Sequence, residues 1–461
     1  MISKRDSRLV EKGDVFFDLS NNFEDGLARS KEAISRGAVK VVSERDYQLP
    51  HLQKVEDVRL EFALACAKEF NSPASDLKLI GVTGTNGKTT CAHILYETLR
   101  ALGKKVARIG TLGVVYGDVV KDFDMTTPDA DILQSEFFEM KKRGVEYVVM
   151  EVSAHAINQK RIAGLKFEVG VLTNITQDHL DYFGTMEDYA STKLSLFTPE
   201  KVKSAVVNID DFYGRKLYQS SSVPTVFYGV ENPADVFAVN KKSDISSSEF
   251  LCNFFDNVCG IKTKLVGDYN IMNMLACLAC LGCLGFDLSK ISEVFSKIPP
   301  VEGRFNVINV KNRHLVIDFA HTPDGLEKVL QTARTLTPNR LFCVFGCGGN
   351  RDRDKRHKMG AVAERYADVV CLTNDNPREE DEKAIVSDIE SGMKKAHIVE
   401  FDRRRAIEKV FSLMRAGDIA VIAGKGAEKY QIIGKNKVPY SDFDVIYGLL
   451  KSEKLKEEYG N

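Results

Sequence analysis

The chain is short of long apolar runs. No uncharged apolar stretch is long enough to span a bilayer, and the opening Met1-Ile2-Ser3-Lys4-Arg5-Asp6 lacks the apolar core of a signal peptide, so the expected location is the cytoplasm without membrane insertion. Neither sign of charge is in excess. With 64 basic and 65 acidic side chains the net charge is −1, which excludes nucleic acid or membrane binding by bulk electrostatics and leaves anion binding to local clusters. Low-complexity tracts and internal repeats are also missing. Ten cysteines are scattered through apolar segments, as reduced thiols used for packing rather than as a disulfide framework. Cys277-x-x-Cys280-x-x-Cys283 has the spacing of an iron–sulfur ligand set. It lies in an apolar helix pattern without a later Cys-Pro, so helix packing is its expected role.

What the chain does have is length and alternation. At 461 residues it exceeds what one hydrophobic core serves, so two or three domains are expected. Residues 1–75 read as a small α/β unit with short strands at Asp14 to Phe17 and Val39 to Val42, a helix over Leu60 to Phe70, and a linker at Asn71-Ser72-Pro73-Ala74-Ser75. Residues 76–302 alternate strands, at Leu79 to Val82, Tyr147 to Met150 and Val169 to Leu172, with helix-length segments. Residues 303–461 do the same around Leu315 to Asp318, Leu341 to Phe345, Val369 to Leu372 and Ile419 to Ile422. Such alternation predicts an α/β fold with mostly parallel sheets, whose ligand crevices lie beyond the C-terminal ends of the strands.

The strongest motif sits at one such end. Gly84-Thr85-Asn86-Gly87-Lys88-Thr89-Thr90 follows a strand and precedes a helix pattern from Cys91 to Leu102, the order of a loop that binds a nucleoside triphosphate. Glycines let backbone N–H groups close around phosphate oxygens, Lys88 supplies positive charge, and the Thr89 hydroxyl can reach magnesium. The spacing departs from the usual pattern, since Val82 stands where a glycine is common. Glu151 and Asp178-His179 also stand at strand ends, where carboxylate and imidazole can serve a divalent ion or simply cap a helix and bond locally. Lys193, read from its surroundings alone, is a helix-surface lysine.

Beyond the loop, Met150-Glu151-Val152-Ser153-Ala154-His155, Thr173 through Asp181 and Leu265 through Asn273 resemble, in order, the central-domain motifs of the Mur ligases. Asp318-Phe319-Ala320-His321-Thr322-Pro323-Asp324 and Phe345 through Asp352 resemble that family's C-terminal motifs. The resemblance implies a small N-terminal domain, a central P-loop-type domain and a Rossmann-like C-terminal domain, with ATP and Mg2+ as cofactors. It further implies that Lys88 and Thr89 hold the triphosphate and its magnesium. Glu151 and His179 would serve a second magnesium, Arg304 the phosphates, Asn270 and Asn273 the adenine, and Asp318 the ribose. Lys193 matches the lysine that the family carries as a carbamate, which would make it a metal ligand.

Within the family the likeness is to members that add the third residue of the peptidoglycan stem peptide. The implied partners are UDP-N-acetylmuramoyl-L-alanyl-D-glutamate and meso-diaminopimelate, handled by a monomer. Ser7, Thr126, Thr127, Ser153, Gln159 and Arg161 match contacts to the first. Asp375, Asn376, Pro377, Arg378, Gly424 and Glu428, with Arg351, match the pocket for the second. Arginines suit the distal carboxylate of diaminopimelate and Glu428 its ammonium. Read from its neighbours alone, Arg378 is a solvated residue after an Asn-Pro turn. Alternatives are the same reaction with L-lysine, another Mur or folylpolyglutamate-type ligase, or a nucleotide-binding protein without turnover.

Overall fold

The structure is a computed structural model that describes residues 2–255 and 257–459, with side chains to residue 453. The outermost residues of the first and third expected units, 1 and 460–461, lie outside the described residues. A four-stranded parallel sheet opens the chain, in the order Ser3–Lys4, Val15–Phe17, Lys40–Ser43 and Leu52–Lys54. Helix Phe23–Ser35 begins where Asn22 accepts a hydrogen bond from the Asp25 amide, with Glu24 and Asp25 at the positive end of the helix dipole. Asp57 caps helix Val58–Glu69 in the same way. The expected linker is a tight corner: Asn71 and Ser72 adopt left-handed backbone, and a single turn at Pro73–Asp76 leads into the next strand.

The second sheet has 11 strands. At its centre Val202–Asn208, Phe167–Leu172, Lys78–Thr83, Tyr147–Glu151 and Val106–Gly110 run parallel, as the alternation predicted. The edges are antiparallel. Gly113–Tyr116 and Val119–Lys121 close one side by antiparallel pairing, and Val236–Ser243, Ser248–Phe254 and Asn257–Thr263 close the other. Strand Ser248–Phe254 alternates, Ser248, Phe250 and Cys252 inward and Glu249 and Leu251 outward, the signature of a sheet with one wet face. Helices Lys88–Ala101 and Asp268–Cys283 cover the inner face with Ile94, Leu95, Leu99, Met274, Leu275 and Leu278, all fully buried. Cys277 and Cys280 are buried among them, in the packing role expected.

A third, six-stranded sheet runs Asn306–Val310, Arg313–Asp318, Ile419–Ala423, Leu341–Phe345, Val369–Leu372, Ile398–Val399, parallel except for its first pair. The entry into it is tight. A side chain at Gly303, whose φ is +71°, would collide with the backbone of Gly426 and Ala427. Behind the sheet Arg403 and Asp442 form an ion pair with both side chains fully buried, and Arg403 also donates to the Ala423 carbonyl at 2.9 Å. A hairpin, Tyr430–Ile433 with Asn436–Pro439, stands apart from the sheet.

Candidate active site

Strand Lys78–Thr83 stops at Gly84, and the helix begins at Lys88, so four residues make the whole turn. Val82 is buried inside the strand, which is why no glycine is required there. Gly84 and Gly87 are required. At φ +145° a Gly84 Cβ would lie 1.9 Å from the Thr173 hydroxyl, and at φ +87° a Gly87 Cβ would lie 2.5 Å from Asn273 Oδ1. Thr85 and Asn86 are tied down, the Thr85 hydroxyl to the Thr176 carbonyl at 3.0 Å and the Asn86 amide to Asn174 Oδ1 at 3.0 Å. Thr90 is buried in the first helical turn. The helix N-terminus and the loop N–H groups thus form an anion cradle.

Cations and oxygen ligands meet above it. Lys88 Nζ donates to the carbonyls of Gly84 at 2.9 Å and Thr85 at 2.8 Å. Thr89 Oγ1 donates to Glu151 Oε2 at 3.0 Å and accepts from Arg304 Nη2 at 3.3 Å. Glu151, 1% exposed, also accepts from the backbone amide and hydroxyl of Thr111 at 2.8 and 3.2 Å. Among the described residues no cation lies within ion-pair distance of it. A buried carboxylate served only by neutral donors and a nearby threonine hydroxyl suits a hard divalent cation.

His179 lies beyond the end of strand Phe167–Leu172 with φ +56°. Burial pulls its pKa down to about 3, against the opposing influence of Asp178, so the ring is neutral at physiological pH and a nitrogen can serve as a ligand. Asp178 is itself buried, and although burial alone would raise its carboxyl, the nearby His321, His179 and Lys355 hold it far below the carboxylate range.

Lys193 corrects the surface-lysine expectation. It is 1% exposed, donates to the Gly84 carbonyl at 2.8 Å and stands 4.8 Å from the centre of the Tyr189 ring. Helix Met186–Leu194 turns Tyr189, Ala190 and Lys193 inward together, a three-and-four spacing that was legible but polar at its last member. Burial, then repulsion from Lys88, lowers its pKa well below that of an ordinary lysine. Burial and the adjacent cation thus both favour the uncharged, nucleophilic form of the amine.

Lys88, Glu151, Asp178, His179, Asn273, Arg304 and Asp318 line a cavity of about 970 Å³ between the second and third sheets. Arg304 lies over the Phe319 ring at 4.3 Å, and Asp318 accepts from the amides of Phe305 and Ala320. Asn270 stands behind the wall, bonded to the Val266 carbonyl at 2.8 Å and to Asn273 at 3.3 Å. Thr126 lines the cavity, its hydroxyl 3.2 Å from that of Thr111. Thr127 donates to the Glu151 carbonyl at 2.8 Å and accepts from the Ser153 amide, while Arg161 reaches the Thr127 carbonyl at 2.8 Å and Gln159 at 2.6 Å. Ser7 does not join them: it is buried in the first unit against Glu32 at 2.6 Å.

The remaining predicted residues form a second cluster outside that cavity's lining. Arg378 is half-buried rather than solvated. Its φ is +54°, its amide donates to the Ile432 carbonyl, and its Nη1 donates to the Gly349 carbonyl at 2.9 Å. Burial and the neighbouring Arg351 both lower its pKa, the mark of two cations placed side by side. Among the described residues its Nε and Nη2 make no hydrogen bond. Asn376 is buried and clamps the segment, accepting from Lys425 Nζ at 3.2 Å and from the Ile432 amide at 2.9 Å. Pro377 packs its carbonyl so close to Gly349 that no side chain fits there, and Gly424, at φ +113°, borders Asp375. Glu428 Oε2 accepts from Lys425 at 2.7 Å and Asn376 at 3.3 Å. Thr111, Lys355, Lys425 and Tyr430 escaped the sequence reading. Thr111 at least follows a strand end, where such residues gather.

Comparison with known proteins agrees with this geometry. Residues 82–281 match the Mur ligase middle domain, and residues 303–426 match the family described as Mur ligase, glutamate ligase domain. A protein of Syntrophomonas wolfei named UDP-N-acetylmuramoyl-L-alanyl-D-glutamate–2,6-diaminopimelate ligase is 39% identical, covering 97% of this chain and 94% of its own. A protein of Geobacillus kaustophilus with the same name is 40% identical over the same shares. A solved structure of a ligase so named is 32% identical with a TM-score of 0.71, covering 98% of this chain and 95% of its own. The MurF ligase of Thermotoga maritima in complex with ADP shares the fold, with a TM-score of 0.66 at 21% identity over 99% of this chain and 98% of its own.

Proposed function

The chain belongs to the Mur ligase family, and we infer from that membership that it is an ATP-dependent ligase joining 2,6-diaminopimelate to UDP-N-acetylmuramoyl-L-alanyl-D-glutamate in peptidoglycan precursor synthesis. The observation that carries the choice of amine is the second cluster. Arg351 lies near enough to Arg378 to lower its pKa and Glu428 near enough to raise it, so two cations and a carboxylate share one cluster, an arrangement that complements the carboxylate and ammonium of a distal amino-acid head. We take the isomer to be meso-diaminopimelate. Units 1–75, 76–302 and 303–461 then receive the uridine nucleotide, ATP and the amino acid, within one cytoplasmic monomer.

In this reading the γ-carboxylate of D-glutamate takes the γ-phosphoryl group of ATP, and the acyl phosphate is attacked by the diaminopimelate amine with loss of phosphate. Lys88, the helix N-terminus behind it and Arg304 hold the triphosphate and the charge that develops on it. Thr89, Glu151, His179 and Lys193 as a carbamate would hold Mg2+, which supplies charge neutralisation between the nucleotide and the acceptor carboxylate. Carbamylation needs the neutral amine, the form that burial of Lys193 favours: its nitrogen adds to carbon dioxide and releases one proton. Thr126, Thr127, Ser153 and Arg161 position the acceptor, with Gln159 orienting Arg161. His179, already neutral and beside Asp178, acts as a ligand rather than as a base.

Purified protein with ATP, magnesium, the muramoyl dipeptide and either meso-diaminopimelate or L-lysine tests this by mass spectrometry of the product. The expected result is amide formation with diaminopimelate and far less with lysine. No product with either amine refutes the ligase reading, and faster use of lysine refutes the role of Arg378.

A further inference from the structure

The hairpin Tyr430–Ile433 with Asn436–Pro439 has no place in any of the three larger sheets, yet it is engaged both along one edge and through a side chain. Ile432 and Lys437 are directly opposite each other across it. Ile433 and Asn436 flank its two-residue turn, so Ile432 and Lys437 make the next pair, which in an antiparallel ladder exchanges no hydrogen bonds. The Ile432 amide and carbonyl are therefore turned outward. They bond to the amino-acid cluster, the amide to Asn376 Oδ1 at 2.9 Å and the carbonyl to the Arg378 amide at 3.0 Å. Gln431 adds a bond to the Asp375 carbonyl at 2.8 Å, and Gly434 one to the Arg378 carbonyl at 2.8 Å.

The Lys437 side chain rises from one face of the hairpin, shared with Tyr430 and Ile432. Its Nζ donates to Asp124 Oδ1 at 2.7 Å, a residue 313 positions earlier in the chain, and stands 4.8 Å from the centre of the Tyr430 ring. Asp124 precedes Thr126 and Thr127 by two and three residues. Those threonines bond to Thr111 and to the Glu151 carbonyl, so the loop of Asp124 is the loop that lines the acceptor end of the cavity. One cross-strand pair thus joins the segment that presents Arg378 to the segment that presents Thr126.

We propose that Lys437 and Asp124 are positioning residues, a clasp through which occupation of the amino-acid cluster and occupation of the acceptor loop favour each other. This rests on the ligase reading above. The pair is exposed, 51% for Lys437 and 86% for Asp124, so its contribution is that of a surface ion pair, roughly fivefold in an equilibrium. That suits a contact made and broken in each turnover better than a fixed strut.

Steady-state kinetics of the full chain test the clasp. Lys437→Glu and Asp124→Lys, each alone, are expected to raise KM for both the muramoyl dipeptide and diaminopimelate by roughly three- to fivefold, with KM for ATP within about twofold of wild type. The double reversal, Lys437→Glu with Asp124→Lys, is expected to recover most of both losses, and Lys437→Arg to keep wild-type values. If wild-type protein makes no amide, the ligase reading fails and the clasp with it. If wild type is active but the single reversals leave both constants within twofold, raise only one of them, or are not rescued by the swap, the clasp is refuted while the ligase reading stands.

Discussion

Replacing Arg378 with alanine is expected to erase discrimination between diaminopimelate and lysine rather than to abolish catalysis. The guanidinium spends Nη1 on the Gly349 carbonyl at 2.9 Å and, more loosely, the Asn376 carbonyl at 3.4 Å. Nε and Nη2 remain for a ligand, and a charge-assisted hydrogen bond to a carboxylate is worth about 1.5–3 kcal/mol. Loss of that contact converts to a fall of roughly 10- to 150-fold in kcat/KM for diaminopimelate. Lysine has no distal carboxylate, so its kcat/KM is expected to fall by less than about threefold. Backbone strain does not confound the comparison, since arginine already occupies φ +54° and alanine inherits the same geometry. The assay is phosphate release with each amine at saturating ATP and muramoyl dipeptide. An equal loss with both amines would mean that Arg378 merely holds the Gly349 loop, and the reasoning from its unengaged nitrogens would be wrong.

Three further outcomes are expected. Lys193→Ala should lower kcat about 10- to 100-fold, the usual cost of disturbing a metal's ligand set, and protein equilibrated with 13C-bicarbonate should show a carbamate carbon signal that the variant lacks; a signal unchanged by the substitution refutes the assignment. Arg403→Met should cost about 3–5 kcal/mol in urea unfolding, because Asp442 is left charged and fully buried, and adding Asp442→Leu should recover much of it; a single-variant loss below about 1 kcal/mol contradicts this. The hydrogen bonds from Arg356 hold the Glu380 carboxyl down at about 2. Its stabilising contribution is therefore present above the unfolded value of 4.5 and lost as pH falls toward 2, so Glu380→Gln should flatten Tm against pH within that window and leave the slope above it alone.

What the sequence made legible is what short-range pattern encodes. The strand, turn and helix around Lys88 follow one another in the chain, as do Tyr147–Glu151 and its terminal carboxylate. Burial of Lys193 was hidden because it depends on the phosphate loop, 109 residues away, coming to rest on that helix. Arg378 was misread for a similar reason. Asn376-Pro377 is turn chemistry, and only the hairpin more than fifty residues later turns that exposed corner into a wall. The antiparallel edges of the large sheet went unseen because an alternating strand beside a parallel core carries no local mark of which neighbour it will choose.

The phosphate-loop strand Lys78–Thr83 lies inside its sheet between Tyr147–Glu151 and Phe167–Leu172, the strands that deliver Glu151 and, just beyond, Thr173 to His179. Spacings among the strand ends that carry the phosphate loop, Glu151 and Thr173 are therefore fixed by the lateral repeat of a hydrogen-bonded ladder and change only if the ladder shears. Arg351 and Arg378 ride on a different sheet, joined to the first through the chain segment at Gly303. Between the two sheets, side-chain bonds such as Asn86 to Asp324 and Lys358 to Gln177 take the place of that ladder. Solvent viscosity and temperature should then weigh on the delivery of the amine, while the geometry of phosphoryl transfer stays as constant as the sheet itself.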